Sequence, residues 1–225
     1  MEPTPAVLLH TTSMAYDTAL DAQHRLADLR RAGRIPDVVW LLEHPPVFTT
    51  GRHGARGDLF VSDDHLAALG ASFHTVDRGG HMTWHGPGQT TGYVIADLRP
   101  GRRVRAFVEA LVQSMAQAGL RAGLPDVIAD QQRMGLYHDG RKLGSVGIRV
   151  SGGVTLHGLA LNRDPDMSWF ELMTACAAPD VRATSIAAEG GDPTRATVEA
   201  SLAEALATRM ALRLEPGSLD DLLGA

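Results

Sequence analysis

The sequence predicts an α+β fold on three observations. Helical and strand-like segments do not follow the regular strand–helix–strand order of a parallel sheet: pairs of strands separate the first helices, and a run of strands precedes a mostly helical C-terminal part. Asp139 with Gly140 and Gly152 with Gly153 are turn signals between apolar runs, which favours consecutive hairpins. Hydrophobic residues make up 44% of the 225 residues, and no linker divides the chain, so we expect one domain over residues 1–225.

Several segments carry the periodicity or the boundary signals of helices. Residues 16–32 place leucines near one face, and Gly33 followed by Pro36 marks the C-terminal end. Ser62 is a suitable N-cap for a short helix that begins at Asp63. The predicted helices are residues 16–32, 63–69, 104–122, 169–174 and 197–213, followed by a short tail helix.

Short apolar runs between breakers predict the strands. Two of them flank the stretch RGGHMTWHGPGQTTGY, residues 78–93, whose glycines exclude a helix and which we expect to be strand only at its ends. The predicted strands are residues 38–42, 47–50, 72–76, 93–98, 134–138, 142–150 and 154–161.

Composition excludes several classes of protein. The net charge of −5 and the pI of about 6.0 argue against general electrostatic binding to nucleic acid. Cys176 is the one cysteine, so no intrachain disulfide forms, which suits a reducing compartment. The N-terminus lacks the pattern of a signal peptide, no apolar run has the length of a membrane span, and no histidine pair has metal-ligand spacing. We therefore expect a cytoplasmic, soluble protein without a metal site and without a nucleic-acid or membrane partner.

The stretch 78–93 is the first candidate site. Its glycines allow a ligand to approach the main chain closely, and successive N–H groups in such turns bind anions or carbonyl oxygens. Arg78 could supply charge, and His85 and Gln89 could supply directional hydrogen bonds. The alternative is a structural loop whose glycines satisfy tight turns. The stretch lacks the Gly-Lys-Ser/Thr ending of a phosphate loop and does not match the dinucleotide-binding pattern.

Lys142 and Cys176 are the other candidate catalytic residues. Lys142 lies in an apolar predicted strand, where a lysine either reaches solvent or is held in a site; partial burial would make its amine a usable acid or base. Cys176 follows a predicted short helix and is either an inert small apolar residue or a nucleophile activated by a nearby cation.

A basic cluster precedes the helix predicted over residues 104–122. Positive charge at a helix N-terminus is unfavourable, so the cluster either binds an acidic partner or is simply solvated. Its members are Arg99, Arg102, Arg103 and Arg105.

Three motifs together resemble the octanoyltransferases of lipoate biosynthesis. These motifs are RGGHMTWHGPGQTTGY at residues 78–93, LLEHPPVFTTGR at 41–52 and RKLGSVGIRVSGGVTLHGLALN at 141–162. They keep the order and spacing of the family over most of the chain. The resemblance implies a mixed β-sheet flanked by helices, the fold of lipoate-protein and biotin-protein ligases. Two departures stand out: the family usually has Pro-Cys-Gly at the nucleophile, where this chain has Ala-Cys-Ala, and often Gly-Val-Trp where this chain has GLY before Lys142.

The resemblance also implies the site. Cys176 matches the cysteine that carries the acyl group, and Lys142 matches the lysine that favours the thiolate and transfers protons. The positions that match the family's acyl pocket are Arg78, Gly79, Gly80, His81, Met82, Thr83, Trp84 and His85, then Ser145, Val146 and Gly147, and finally Gly158, Leu159 and Ala160.

The implied reaction moves an octanoyl group from acyl carrier protein to a lysine of a lipoyl domain, in a 2-oxoacid dehydrogenase or in the glycine cleavage H protein. It needs no cofactor and no ATP, because the thioester is already activated. Acyl carrier protein is acidic, so the basic cluster at residues 99–105 becomes a candidate docking patch. The alternatives are an ATP-dependent lipoate-protein ligase, which would use the lysine but not the cysteine, and an acyl-binding paralogue without transferase activity.

Overall fold

The computed structural model describes residues 2–99, 101, 103–174 and 181–224. The β-strands are β1 Thr4–Thr11, β2 Asp37–Leu42, β3 Val47–Thr50, β4 Ser72–Thr75, β5 Met82–His85, β6 Gln89–Ile95, β7 Val127–Asp130, β8 Gly135–His138, β9 Arg141–Ser151, β10 Val154–Asn162 and β11 Leu212–Pro216. The α-helices are α1 Tyr16–Arg31, α2 Asp63–Ala68, α3 Val104–Arg121, α4 Arg195–Met210 and α5 Leu219–Leu223. Short 3-10 helices span Arg56–Asp58 and Met167–Leu172.

An eight-stranded mixed sheet forms the centre of the fold. Its strand order is β11-β1-β2-β6-β10-β9-β8-β7. Strand β1 runs parallel to β2 and to β11, whereas the other neighbours are antiparallel. The hairpins predicted from Asp139–Gly140 and Gly152–Gly153 are the β8–β9 and β9–β10 connections. The predicted α+β class with a mixed sheet and flanking helices is therefore confirmed.

Helices cover both faces of this sheet. On one face, α3 and α4 pack with Leu111, Met115, Leu202 and other apolar residues into the larger core cluster. On the other face, α1 packs through Leu26 and its neighbours against the strands at the centre of the sheet. A smaller apolar cluster lies under the second sheet. Within the described residues, no helix combines the length and the apolar composition that a bilayer crossing requires.

A second sheet, with strand order β4-β3-β5, contains part of the stretch 78–93. The expectation that only the ends of this stretch are strand was wrong, because β5 occupies its middle. Gly80 and Gly88, with φ of +87° and +83°, absorb the sharp turns on either side, and the residues MTWH between them contain no breaker. Strand β6 also begins earlier than the predicted strand 93–98, inside the stretch itself.

The C-terminal prediction needs two corrections. The helix predicted over residues 197–213 ends at Met210, because Ala211 adopts a left-handed conformation with φ of 51° and the chain continues as β11. The helix predicted over 169–174 is the 3-10 helix Met167–Leu172, capped by the Asp166 side chain. Helices α1 and α3 each end one residue before the predicted boundary.

Candidate active site

A cavity of about 260 Å³ opens between the eight-stranded sheet and the segment 78–85. Strands β6, β9 and β10 supply the sheet side, and the loop before β5 together with β5 supplies the opposite wall. All the acyl-pocket positions predicted from the sequence line this cavity except Trp84, and Lys142 lines it too. Residues far apart in the chain therefore meet at one concave site.

Trp84 is the predicted pocket residue that the structure places elsewhere. Successive side chains of a strand point to opposite faces, so Thr83 and His85 face the cavity while Trp84 faces away. The Trp84 ring is fully buried and stacks on Trp169, with ring centroids 5.7 Å apart. It also meets Phe170 edge-on, so it belongs to the core under the second sheet.

Glycine lets the two walls of the cavity approach each other. A Cβ atom at Gly147 on β9 would lie 3.1 Å from Cδ of Arg78 and 3.2 Å from the carbonyl oxygen of Gly79. The backbone N–H of Gly79 donates to the carbonyl of Ile148 at 2.9 Å. The loop before β5 is thus fastened directly to β9, and a larger side chain at position 147 would force it away.

A β-bulge turns Lys142 toward the cavity. Leu136 pairs with Gly144 and Tyr137 pairs with Lys142, so Leu143 is an extra residue in β9. Gly144 and Val146 face the core on the α3 side, and strict alternation would send Lys142 to that same face. The bulge instead leaves Leu143 in the core and places Lys142, which is 8% exposed, among the cavity residues.

Cys176 lies outside the described residues, but the residues on both sides of it are placed. Met173 and Val181 both line a small second cavity that Lys142 also lines. The backbone N–H of Thr174 donates to the carbonyl of Asp58 at 2.7 Å, and that of Lys142 donates to the carbonyl of Arg182 at 2.8 Å. Described residues on both flanks, Met173 and Val181, therefore lie at a cavity that Lys142 also lines.

Buried polar side chains connect the pocket wall to the backbone of Lys142. His85 donates from Nδ1 to Oε1 of Gln89 at 2.7 Å, and Nε2 of Gln89 donates to Oδ1 of Asn162 at 2.8 Å. Nδ2 of Asn162 donates to the carbonyl of Thr184 at 2.9 Å, and the N–H of Thr184 donates to the carbonyl of Lys142 at 2.9 Å. Because each of these groups is buried, loss of one bond would leave a costly unsatisfied partner.

Arg78 extends the same network on the other wall. Its Nη2 donates to the carbonyl and to the hydroxyl oxygen of Thr49, at 2.7 and 2.9 Å. Oγ1 of Thr49 lies 3.5 Å from Nε2 of His85. Arg78 and His85 thus hold the second sheet in place, a structural task that explains why both are buried.

Burial keeps the histidines behind the pocket neutral. The pKa of His85 is lowered to about 3, chiefly by burial and then by His44 and Arg78. The pKa of His44 is lowered to about 4 by burial, against a hydrogen bond to the carbonyl of Met14. Nε2 of His44 accepts from the Tyr93 hydroxyl at 2.7 Å, as a neutral imidazole can. Neither ring is a proton carrier near neutral pH.

Arg99, one member of the basic cluster, lies far from Lys142. Arg99 contacts the turn at Gly153, at the opposite end of β9 from Lys142, which is about 30 Å of extended strand. Its guanidinium is bound by the Asp97 carboxylate at 2.6 Å. Arg102 lies outside the described residues. The docking role of the cluster stays a prediction.

Comparison with known proteins identifies the family. The profile of the lipoyl protein ligase A/B catalytic domain matches residues 15–207. An octanoyltransferase of Mycobacterium tuberculosis is 40% identical over 204 residues, covering 85% of this chain and 83% of that protein. A mitochondrial octanoyltransferase of Arabidopsis thaliana is 38% identical over 175 residues, covering 77% of this chain and 74% of that protein.

The chain belongs to the octanoyltransferases.

The fold of this octanoyltransferase is shared more widely. A crystal structure of lipoate-protein ligase A bound with ATP aligns with a TM-score of 0.75 at 16% identity, covering 100% of this chain and 93% of that chain. At this identity the likeness concerns the fold alone. It confirms the lipoate-protein ligase fold that the sequence motifs implied.

Several cavity residues of this octanoyltransferase were missed from the sequence. Tyr16, Thr91, Tyr93, Tyr137 and His157 all line the cavity. Thr91 and Tyr93 lie at the end of the glycine-rich stretch and pair with Ala160 and Gly158, so strand alternation puts them on the cavity face of β6. Tyr16 begins α1 and carried no comparable signal.

The neutral histidines make this octanoyltransferase sensitive to acid. An unfolded histidine binds a proton below about pH 6.5, whereas folded His44 and His85 bind one only near pH 4 and pH 3. Between these values the unfolded chain holds more protons, so the free energy of unfolding falls as pH falls, by up to about 1.4 kcal/mol per pH unit for each histidine.

Urea denaturation at several pH values between about 7 and 4 measures this slope. We expect His85→Gln to flatten it, even if the variant is less stable at neutral pH, while His65→Gln on the exposed side of α2 leaves it unchanged. A slope that stays the same in His85→Gln would contradict the assignment of His85 as a buried neutral group.

Proposed function

We propose that this enzyme transfers an octanoyl group from acyl carrier protein to a lysine of a lipoyl domain through a thioester on Cys176. The observation that carries the proposal is the convergence of Lys142, the apolar cavity and both flanks of the cysteine segment at one place. The names of the octanoyltransferase relatives support octanoyl as the acyl group that is transferred. The family that the chain matches, the lipoyl protein ligases A/B, supports a lipoyl domain as the acceptor. The acyl carrier protein donor and the Cys176 thioester are what the resemblance of the sequence motifs to the octanoyltransferases implies.

The cavity suits an alkyl chain next to Lys142. It extends along β9 from Lys142 and Ser145 to Gly147, which pairs with Gly158 on the neighbouring strand β10. Burying a methylene group is worth roughly 0.8 kcal/mol, so an eight-carbon chain would gain several kcal/mol from enclosure between the two sheets. The backbone of the loop before β5 and the small side chains of β9 and β10 leave room for it.

Cys176 would carry the acyl group while Lys142 gives up one proton and takes one back. In the first half-reaction the Cys176 thiolate attacks the thioester carbonyl of the donor, and the carrier thiolate leaves with a proton from the Lys142 ammonium. In the second, the acceptor amine attacks the new thioester and gives a proton back to Lys142. Cys176 then leaves as a thiolate, so the enzyme returns to its starting state.

Intact-mass measurement after incubation with octanoyl carrier protein tests the proposal. The wild-type enzyme is expected to gain one octanoyl group, and Cys176→Ala is expected to gain none. Addition of a lipoyl domain should discharge the adduct and add the same mass to the domain. Octanoate with ATP should give no product.

Transfer at the wild-type rate by Cys176→Ala would overturn the thioester mechanism. Product formed only from octanoate and ATP would assign the chain to ligase chemistry instead. A folded wild-type enzyme that gains no octanoyl group and transfers none would indicate an acyl-binding protein.

A further inference from the structure

We propose that Tyr137 is a positioning residue that holds the Lys142 ammonium in place through the face of its aromatic ring. This inference rests on the proposed function, because it acts through Lys142. Tyr137 lines the cavity but lies outside the three sequence motifs. It is 3% exposed and lies on β8, directly opposite Lys142 in the pairing of β8 with β9.

The geometry fits a cation–π contact. Nζ of Lys142 lies 5.7 Å from the centroid of the Tyr137 ring, within the roughly 6 Å over which a ring attracts an ammonium ion. The contact follows from the β-bulge, which brings Lys142 to the face of the sheet that Tyr137 also occupies. Both side chains line the same cavity and are no more than 8% exposed, so solvent screens the attraction only weakly.

Gly135 makes this contact possible. A Cβ atom at Gly135 would lie 2.7 Å from Cε of Lys142 and 3.3 Å from Cε2 of Tyr137. The lysine side chain therefore crosses over a glycine to reach the ring, and only a residue without a side chain leaves that path open. The same Cβ atom would also lie 2.7 Å from the carbonyl oxygen of Gly144, so the pairing of β8 with β9 requires glycine here as well.

A second cation on the ring does not remove the attraction for Lys142. The guanidinium of Arg133 lies 4.4 Å from the same ring centroid. However, Nε of Arg133 is paired with the Asp130 carboxylate at 2.6 Å, which compensates its charge. Arg133 is half-exposed, so its remaining field is also screened by solvent.

Fluorinated phenylalanines at position 137 separate ring electrostatics from ring shape. Starting from Tyr137→Phe, analogues with one, two and three ring fluorines keep nearly the same volume but progressively weaken the negative face of the ring. We expect the single-turnover rate of octanoyl transfer to fall stepwise along the series, by about 3- to 30-fold in total, while the KM for carrier protein stays constant. Tyr137→Phe itself should remain within about 2-fold of wild type.

The control for fluorination is the same series at Phe48, whose buried ring packs against Trp169 with centroids 6.1 Å apart. There we expect no stepwise change in rate. Equal rates across the series at position 137 would overturn the inference for Tyr137 alone, provided that Lys142→Ala is inactive in the same assay. Full activity of Lys142→Ala would instead overturn the proposed function.

Discussion

Replacement of Lys142 by methionine is expected to slow octanoyl transfer by about 10²- to 10⁴-fold, the usual contribution of a positioned acid or base. Methionine keeps much of the length and the apolar stem of lysine, so the tight setting over Gly135 stays filled. What it removes is the charge that would favour a thiolate and the proton that would leave with the carrier thiol. Rapid-quench mass measurement of the acyl-enzyme and of the acylated lipoyl domain gives the rate of each half-reaction.

Lys142→Arg distinguishes these two contributions. Arginine keeps the positive charge but does not release a proton near neutral pH. The rate of acyl-enzyme formation should therefore fall less in Lys142→Arg than in Lys142→Met. The rate of transfer to the amine should fall by a similar factor in both variants. Arg141→Met is the matched control, because Arg141 is the preceding residue, half-exposed, and paired with Asp139 and Glu189 outside the cavity. Transfer to the amine at the wild-type rate in Lys142→Arg would contradict a proton-transfer role.

Much of the fold could be predicted because local signals and tertiary packing agree. The helix predicted over residues 104–122 has an apolar face that packs on the large sheet, and its observed end lies one residue earlier. Ser62 accepts a hydrogen bond from the N–H of His65, as the capping prediction required. Asp139 and Gly140 both have positive φ, which is the conformation that the hairpin signal implies.

Three of the four strands missed from the sequence lie in the outer part of the large sheet, and the fourth, β5, lies in the second sheet. Strands β7 and β11 are the two edges of the large sheet, and β1 is next to β11. Edge strands bury less of their surface, so their apolar alternation is weak; the exposed Ile128 of β7 is an example. The end of α4 was misplaced because Ala211, a good helix former, adopts a left-handed conformation that only the following parallel strand explains.

The site could be predicted as a set of residues but not as an arrangement. Motif matching placed Lys142 in a strand, but the direction of its side chain depends on a β-bulge. Leu136 pairs with Gly144 and Tyr137 with Lys142, so β9 has one extra residue between these two pairs. Trp84 was included because it lies inside the motif, although its side chain faces away from the cavity. Tyr137 was missed because its contact with Lys142 arises only when the two strands pair.

Gly158→Ala is expected to destabilise the fold by about 3 kcal/mol or more. A Cβ atom at Gly158 would overlap the carbonyl oxygen of Gly92 on the neighbouring strand β6. This is backbone at the centre of the eight-stranded sheet, so no side-chain rotation relieves the overlap. Separating β10 from β6 would also open the floor of the cavity, where Gly158 lies.

The matched control is Gly79→Ala on the opposite wall of the same cavity. There a Cβ atom would lie 3.5 Å from the carbonyl oxygen of Ile148, which is ordinary van der Waals contact. We expect its free energy of unfolding in urea to stay within about 1 kcal/mol of wild type, since alanine also restricts the unfolded chain. Similar stability of the two variants would mean that β10 and β6 can separate at little cost, and the close strand approach at Gly158 would then not be needed to form the cavity floor.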